Sequence, residues 1–211
     1  MMTKYGKLSI GLIAAWFVFS MTASAFGVFQ TGPNDPPLPI GLAATLPLVL
    51  FALWFSASSG FRHFTLSLNP RVLTLVQSWR IVGYAFLILA AYGILPKLFA
   101  WPAGWGDIFV GATAPFVALK LVKNSRRRSF VLWQALGILD LVNAVTLGAL
   151  AGYIDPKGVA TGAMTVLPLS LIPTFLVPLF LILHVICIAQ ARQSRLANVP
   201  ALGDPVRSVA V

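Results

Sequence analysis

Apolar residues run in long unbroken stretches along this chain, and polar residues are confined to the short gaps between them. The stretches are Leu8–Phe29, Leu38–Ala57, about Val72–Leu98, Trp105–Leu121, Phe130–Ala151 and Val166–Ala189. At about 1.5 Å of rise per residue, each reaches across a ~30 Å hydrocarbon core or nearly so. A backbone in lipid satisfies its polar groups within its own segment, so these stretches predict helices. The residue-by-residue alternation expected of a membrane barrel is missing. The pattern predicts an all-α polytopic membrane bundle of six transmembrane helices. Residues 1–190 would form a single helical domain, with 191–211 a mobile cytoplasmic tail.

Composition sharpens this picture. Of 211 residues, 58% are hydrophobic and 9% charged, against about 25% charged in ordinary globular chains. Mean hydropathy is +0.88. The net charge of +10 does not read as a nucleic-acid footprint, because the basic residues lie in the gaps between apolar stretches. Thirteen of the 15 fall on one side of the predicted bundle, and only Lys97 and Lys157 on the other. The positive-inside rule then places both termini in the cytoplasm. The partner this implies is the lipid bilayer. Arg126, Arg127 and Arg128 in the SRRR hairpin either touch anionic headgroups, at about 1 kcal/mol each, or simply anchor the topology. Lys4, Lys7 and Ala23-Ser24-Ala25 resemble a signal peptide with its cleavage site, but the apolar run continues to Phe29, which predicts a retained helix. With one cysteine, Cys187, no internal disulfide forms.

Two gaps carry local signals. Thr31 to Pro39 reads as a rigid outer turn into the second helix. Asn69-Pro70 reads as the N-cap and first position of the third.

Within the apolar runs a few residues invite chemistry. Asp140 sits about 15 Å from either end of its predicted helix, where a bare carboxylate costs at least about 2.5–3.5 kcal/mol. Gly137, Ala144 and Gly148 share its face, so another helix can approach it, and such small-residue faces also leave an oligomer open. Arg80 is the best partner, at a similar depth on the third helix. Gln77, Arg80 and Tyr84 lie on one face at α-helical spacing, so Gln77 and Tyr84 would orient the guanidinium or the carboxylate. The alternative is an Arg80 that snorkels to the interface beside Trp79. Asp107 closes the Gly-rich outer turn WPAGWGD, where it would cap the start of the fourth helix or mark a cation-attracting outer vestibule. On this reading Asp107 and Asp140 differ too much in depth to form a carboxylate pair.

His184 and Cys187 are three apart in the last helix, too few ligands for a metal site by themselves. His184 reads as a hydrogen-bonding core residue near Gln134. A haem held by His184 and His63 is a weaker alternative. Pro168, Pro173 and Pro178 each remove a backbone donor from the last helix. Neighbouring helices can satisfy the freed carbonyls, and interrupted helices of this kind line binding sites in some transporters.

The segments QSWRIVG, LPKLFAWPAGWGD, LGILDLV and LPLSLIPTFLVPLFLILH, with their QxWR, PAGxGD and LIPxFLVP motifs, resemble a family of small uncharacterised bacterial integral membrane proteins. The resemblance covers roughly Asn69 to His184. It implies a helical bundle in the bacterial cytoplasmic (inner) membrane, with no assigned reaction. It also places Gln77, Arg80, Asp107, Asp140 and His184 in motif positions. The chain has no P-loop, HExxH, GxSxG or CxxC, so an enzyme is the less favoured class and no cofactor is expected. Two functions remain: a small-solute or proton-coupled ion transporter or channel built on Arg80 and Asp140, and a non-catalytic scaffold or accessory subunit using the same pair for packing.

Overall fold

The computed structural model describes residues 3–31, 37–155 and 158–193, and among these it is all-helical with no strand. Residues 194–211, expected as a mobile tail, residues 32–36 of the expected outer turn, and Lys157 lie outside the described residues. Helices α1 (Lys4–Ala25) and α2 (Leu38–Ala57) are followed by a short amphipathic α3 (Ser59–Ser67). The next span is one continuous helical rod in three parts: α4 (Pro70–Val76), a 3₁₀ stretch (Gln77–Gly83) and α5 (Tyr84–Ala91). Then come α6 (Lys97–Lys120), α7 (Arg127–Ile154), a π turn (Ile172–Leu176) and α8 (Val177–Arg192).

Among the described residues, five helical stretches are long and apolar enough to cross a membrane: Lys4–Ala25, Leu38–Ala57, Pro70–Ala91, Arg127–Ile154 and Ile172–Arg192. Helix α6 is 24 residues long but falls outside that set. Its glycines, prolines, tryptophans and Asp107 dilute its apolar residues.

The ends of these helices follow local chemistry. Asn69 caps α4 as its sequence predicts, accepting from the Arg71 amide at 2.9 Å, with Pro70 in the first turn. Gly93, at φ 69°, turns the chain between α5 and α6, a conformation that other residues adopt only with strain. The carbonyls left open at the end of α3 are taken up by Gln190 of α8, whose amide donates to Thr65, Leu66 and Leu68.

The proline-rich segment starts its α-helix later than expected, at Val177 rather than Val166. Pro178 has no N–H to offer the Thr174 carbonyl four residues back. That carbonyl instead accepts from Trp16 Nε1 at 3.0 Å and Ser20 Oγ at 3.4 Å, both on α1. Ser170 donates to Ser24 at 2.8 Å. The broken helix is thus stitched to α1 by the Ser170 hydroxyl and by a carbonyl that an intact helix would have kept to itself.

Helix α6 is the centre of the packing. Ala100, Ala103, Gly104, Gly111, Ala114 and Ala118 are all buried and make a seam of small side chains along it. The rod 70–91 lies in that seam, close enough that a Cβ on Gly111 would collide with the backbone of Arg80 and Ile81. Apolar cores lie on either side of the middle. Leu73, Val110, Phe130 and Trp133 belong to one, and Phe86, Phe99, Ala103 and Met164 to the other. Arg80, Asp107 and Asp140 fall between these two sets on their respective helices.

Overpacking at this seam has a measurable cost. Gly111→Val is expected to lower thermal stability in detergent by about 1–3 kcal/mol, the usual range for a forced core insertion. Gly152→Ala, where no atom lies within 4 Å of the new methyl, should leave the melting temperature unchanged. Equal behaviour of the two variants would contradict the packing described.

Candidate functional site

Arg80 is 3% exposed and stands at the meeting point of four groups. Its Nε donates to Asp107 Oδ1 at 2.7 Å, and its Nη2 donates to Asp140 Oδ2. Its Nη1 donates to the Gly137 carbonyl at 3.3 Å and faces His184 Nε2 at 3.4 Å. One guanidinium therefore bridges two carboxylates, from α6 and α7. Arg80 does not snorkel, although its neighbour Trp79 is 73% exposed.

The local helix type decides which side chains join. In a 3₁₀ helix every third residue eclipses the first. Gln77, Arg80 and Gly83 consequently form one buried line. Tyr84, expected to share the face of Arg80, is one residue out of phase and 53% exposed. Gln77 is buried but does not orient the guanidinium either; its Nε2 donates to the Phe180 carbonyl at 3.3 Å.

Asp107 corrects the sequence reading twice. It caps nothing, because α6 runs unbroken from Lys97 through Gly104. The glycines of WPAGWGD serve close packing instead of a turn. An earlier helix start also changes the depth: Asp107 lies ten residues, about 15 Å, into α6. That is level with Asp140, so the two carboxylates share a cation despite the separation expected of them.

A second network leads away from the cluster. His184 is fully buried, and its Nδ1 lies 2.5 Å from Gln134 Oε1. With Nε2 facing a guanidinium, which can only donate, Nδ1 carries the imidazole proton and donates to Gln134. Gln134 Nε2 donates to Thr74 Oγ1 at 3.2 Å, and Thr74 Oγ1 donates to the Pro70 carbonyl at 2.7 Å. Every donor from Arg80 to Pro70 points the same way. Both ring nitrogens of His184 thus have protein partners, while His63 is exposed on α3; the haem alternative finds no joint site here. Among the described residues no group of three metal-ligating side chains occurs.

Four glycines make the cluster possible, and sequence reasoning recognised only one of them. A Cβ on Gly83 would overlap the Asp107 side chain, and one on Gly106 the Asp140 carboxylate. A Cβ on Gly137 would overlap the His184 ring, and Gly111 admits the backbone of Arg80. Each polar group therefore sits on a glycine from another segment. The available signal was glycine at one to four residues from each charged position: Gly83 after Arg80, Gly106 and Gly111 around Asp107, Gly137 before Asp140.

Asp107 also reaches a cavity of about 200 Å³ on the side of α2 and the 161–165 segment. Its walls are mostly apolar, with Phe86, Phe99, Leu141, Ala144 and Met164 among them, and among the described residues Asp107 is their one charged residue.

The family described as Domain of unknown function (DUF8737) matches residues 37–192, and the chain belongs to that family. No curated protein and no solved structure matches it.

The shared guanidinium predicts an order among variants. Arg80→Gln leaves two buried carboxylates facing each other and is expected to cost about 3–5 kcal/mol. Asp107→Asn and Asp140→Asn should each cost less, because the remaining carboxylate keeps its cation. Removing Asp140 in the Arg80→Gln background should restore part of the loss. Melting curves of the four proteins in detergent test this, and strictly additive losses would show that the three do not act as a unit.

Proposed function

We propose that this DUF8737 protein crosses the bacterial inner membrane six times, with both termini cytoplasmic, and exchanges protons for a small lipophilic amine at the Asp107–Arg80–Asp140 cluster. The six-span reading adds α6 to the five apolar stretches. Lys97 and Lys120 stand at its two ends, and its mid-helix carboxylate pairs inside the protein. The arrangement of Lys and Arg along the chain supports the orientation.

The observation that carries the functional reading is one guanidinium held by two carboxylates at the wall of an apolar cavity. One cation balances one carboxylate. The second needs a proton or another cation, since an uncompensated charge at this depth is costly. A cavity of about 200 Å³ suits a single-ring molecule; an engineered apolar cavity of about 150 Å³ takes up benzene. A ring in the apolar walls with an ammonium on Asp107 would replace the proton. Competition between proton and ammonium for one negative charge is then the coupling step, and intramembrane carboxylates commonly mark such paths.

The scaffold reading has its own support: nearly every donor of the buried network has a partner, as a purely structural cluster requires. One experiment separates the two. In proteoliposomes loaded with a pH-sensitive dye, an inward gradient of phenethylamine should drive protons outward, and Asp107→Asn should abolish this while remaining folded by its melting curve. Binding of the amine should weaken as pH falls, because the proton competes with it. Wild-type vesicles that behave like empty ones, together with no amine binding at any pH, would leave the scaffold reading in place.

A further inference from the structure

We infer that a second, separate site, at the end of the bundle where α7 begins, holds the headgroup of an anionic glycerophospholipid. A cleft of about 1120 Å³ lies between the end of α6, the start of α7 and the end of α8. Arg126, Arg127, Arg128 and Arg192 converge on it from two distant parts of the chain. Among the described residues no carboxylate lines it. The carboxylates among the described residues are Asp107 and Asp140, engaged with Arg80, and Asp155, at the far end of the 28-residue α7. That far end is about 40 Å away. Four guanidiniums gathered with no counter-charge among the described residues call for an anion, and their planar forks suit phosphate oxygens. The hydroxyls of Ser125 and Ser129 add neutral donors at the same rim.

The walls distinguish a lipid from a free phosphate. Arg128, Leu132 and Ala135 lie at i, i+4 and i+7 on α7, so one face of the helix passes from guanidinium to methyl groups as it runs toward the bundle centre. All three line the cleft, together with Leu121 and Val131. Leu132 is 61% exposed. A soluble anion would use the rim and leave this apolar floor open, whereas a phospholipid fills both, phosphate above and glycerol and acyl carbons below. The site shares no residue with the carboxylate cluster and stands whether or not that cluster exchanges protons.

The test uses the full chain in a neutral detergent, titrated with phosphatidylglycerol or with phosphatidylcholine, with melting temperature and native mass spectrometry as readouts. Phosphatidylglycerol should raise the melting temperature by several degrees and remain bound as a discrete adduct, and phosphatidylcholine should do neither. At about 1 kcal/mol per basic residue, Arg128→Gln with Arg192→Gln should weaken the lipid's effect roughly 30-fold. Lys4→Gln with Lys7→Gln, equal in charge removed, should leave it within about twofold of wild type. Equal stabilisation by phosphatidylcholine would overturn the proposal, as would equal loss in the two double variants. Full stabilisation by inorganic phosphate or glycerol phosphate would overturn the lipid assignment in favour of a free-anion site. The native-mass adduct is read on wild-type protein, so it tests the proposal even where a double variant folds poorly.

Discussion

Everything near the middle of this protein is arranged around a guanidinium in a low-dielectric interior. An arginine in such an interior must have its donors satisfied. Two carboxylates, a backbone carbonyl and an imidazole nitrogen surround it. These acceptors come from α6, α7 and α8, so satisfying one side chain pins three helices to the rod 70–91. Interior charge pairs are seldom better for stability than packed apolar residues. What this one supplies is position. Each helix is fixed in depth and rotation by a polar atom that has nowhere else to go.

The close approach this demands explains the composition of the neighbouring helix faces. Guanidinium and carboxylates of different helices meet only if backbones come nearer than ordinary side chains allow. Glycine lies under each polar group, and α6 as a whole presents small residues to the rod. The same small residues, with prolines and tryptophans, lower the apolarity of α6. The helix that makes the most of the interior thus looks the least like a membrane span by composition.

Much of this was legible in the sequence, for reasons that also explain what was not. Depth counted along helices brings Arg80 and Asp140 together, because rise per residue is nearly constant. His184 beside Gln134 follows from the same counting. Asp107 departs from its expected place because Gly104 and Gly106 have two meanings: they break a helix in water and admit a neighbour in a packed bundle. Local sequence does not choose between them; the partner helix does. Tyr84 leaves the face of Arg80 because the period changes from 3.6 to 3 over Gln77–Gly83, and no residue in QSWRIVG announces that change. The six-span pattern and the side on which the termini lie rest on apolarity and charge.

The one-way chain from Arg80 to Pro70 has a consequence of its own. Bond dipoles that point in a common direction add, as they do along a helix axis. Here the electron-rich end, the bare nitrogen of His184, is turned toward Arg80, and the hydrogen-rich end is spent on the Pro70 carbonyl. The interior therefore holds its arginine much as a row of oriented water molecules would hold an ion, but with the molecules tethered and unable to turn. An ion solvated in this way does not depend on its carboxylate neighbours alone. Beside its two acids, the cation rests against a surface already polarised to receive it.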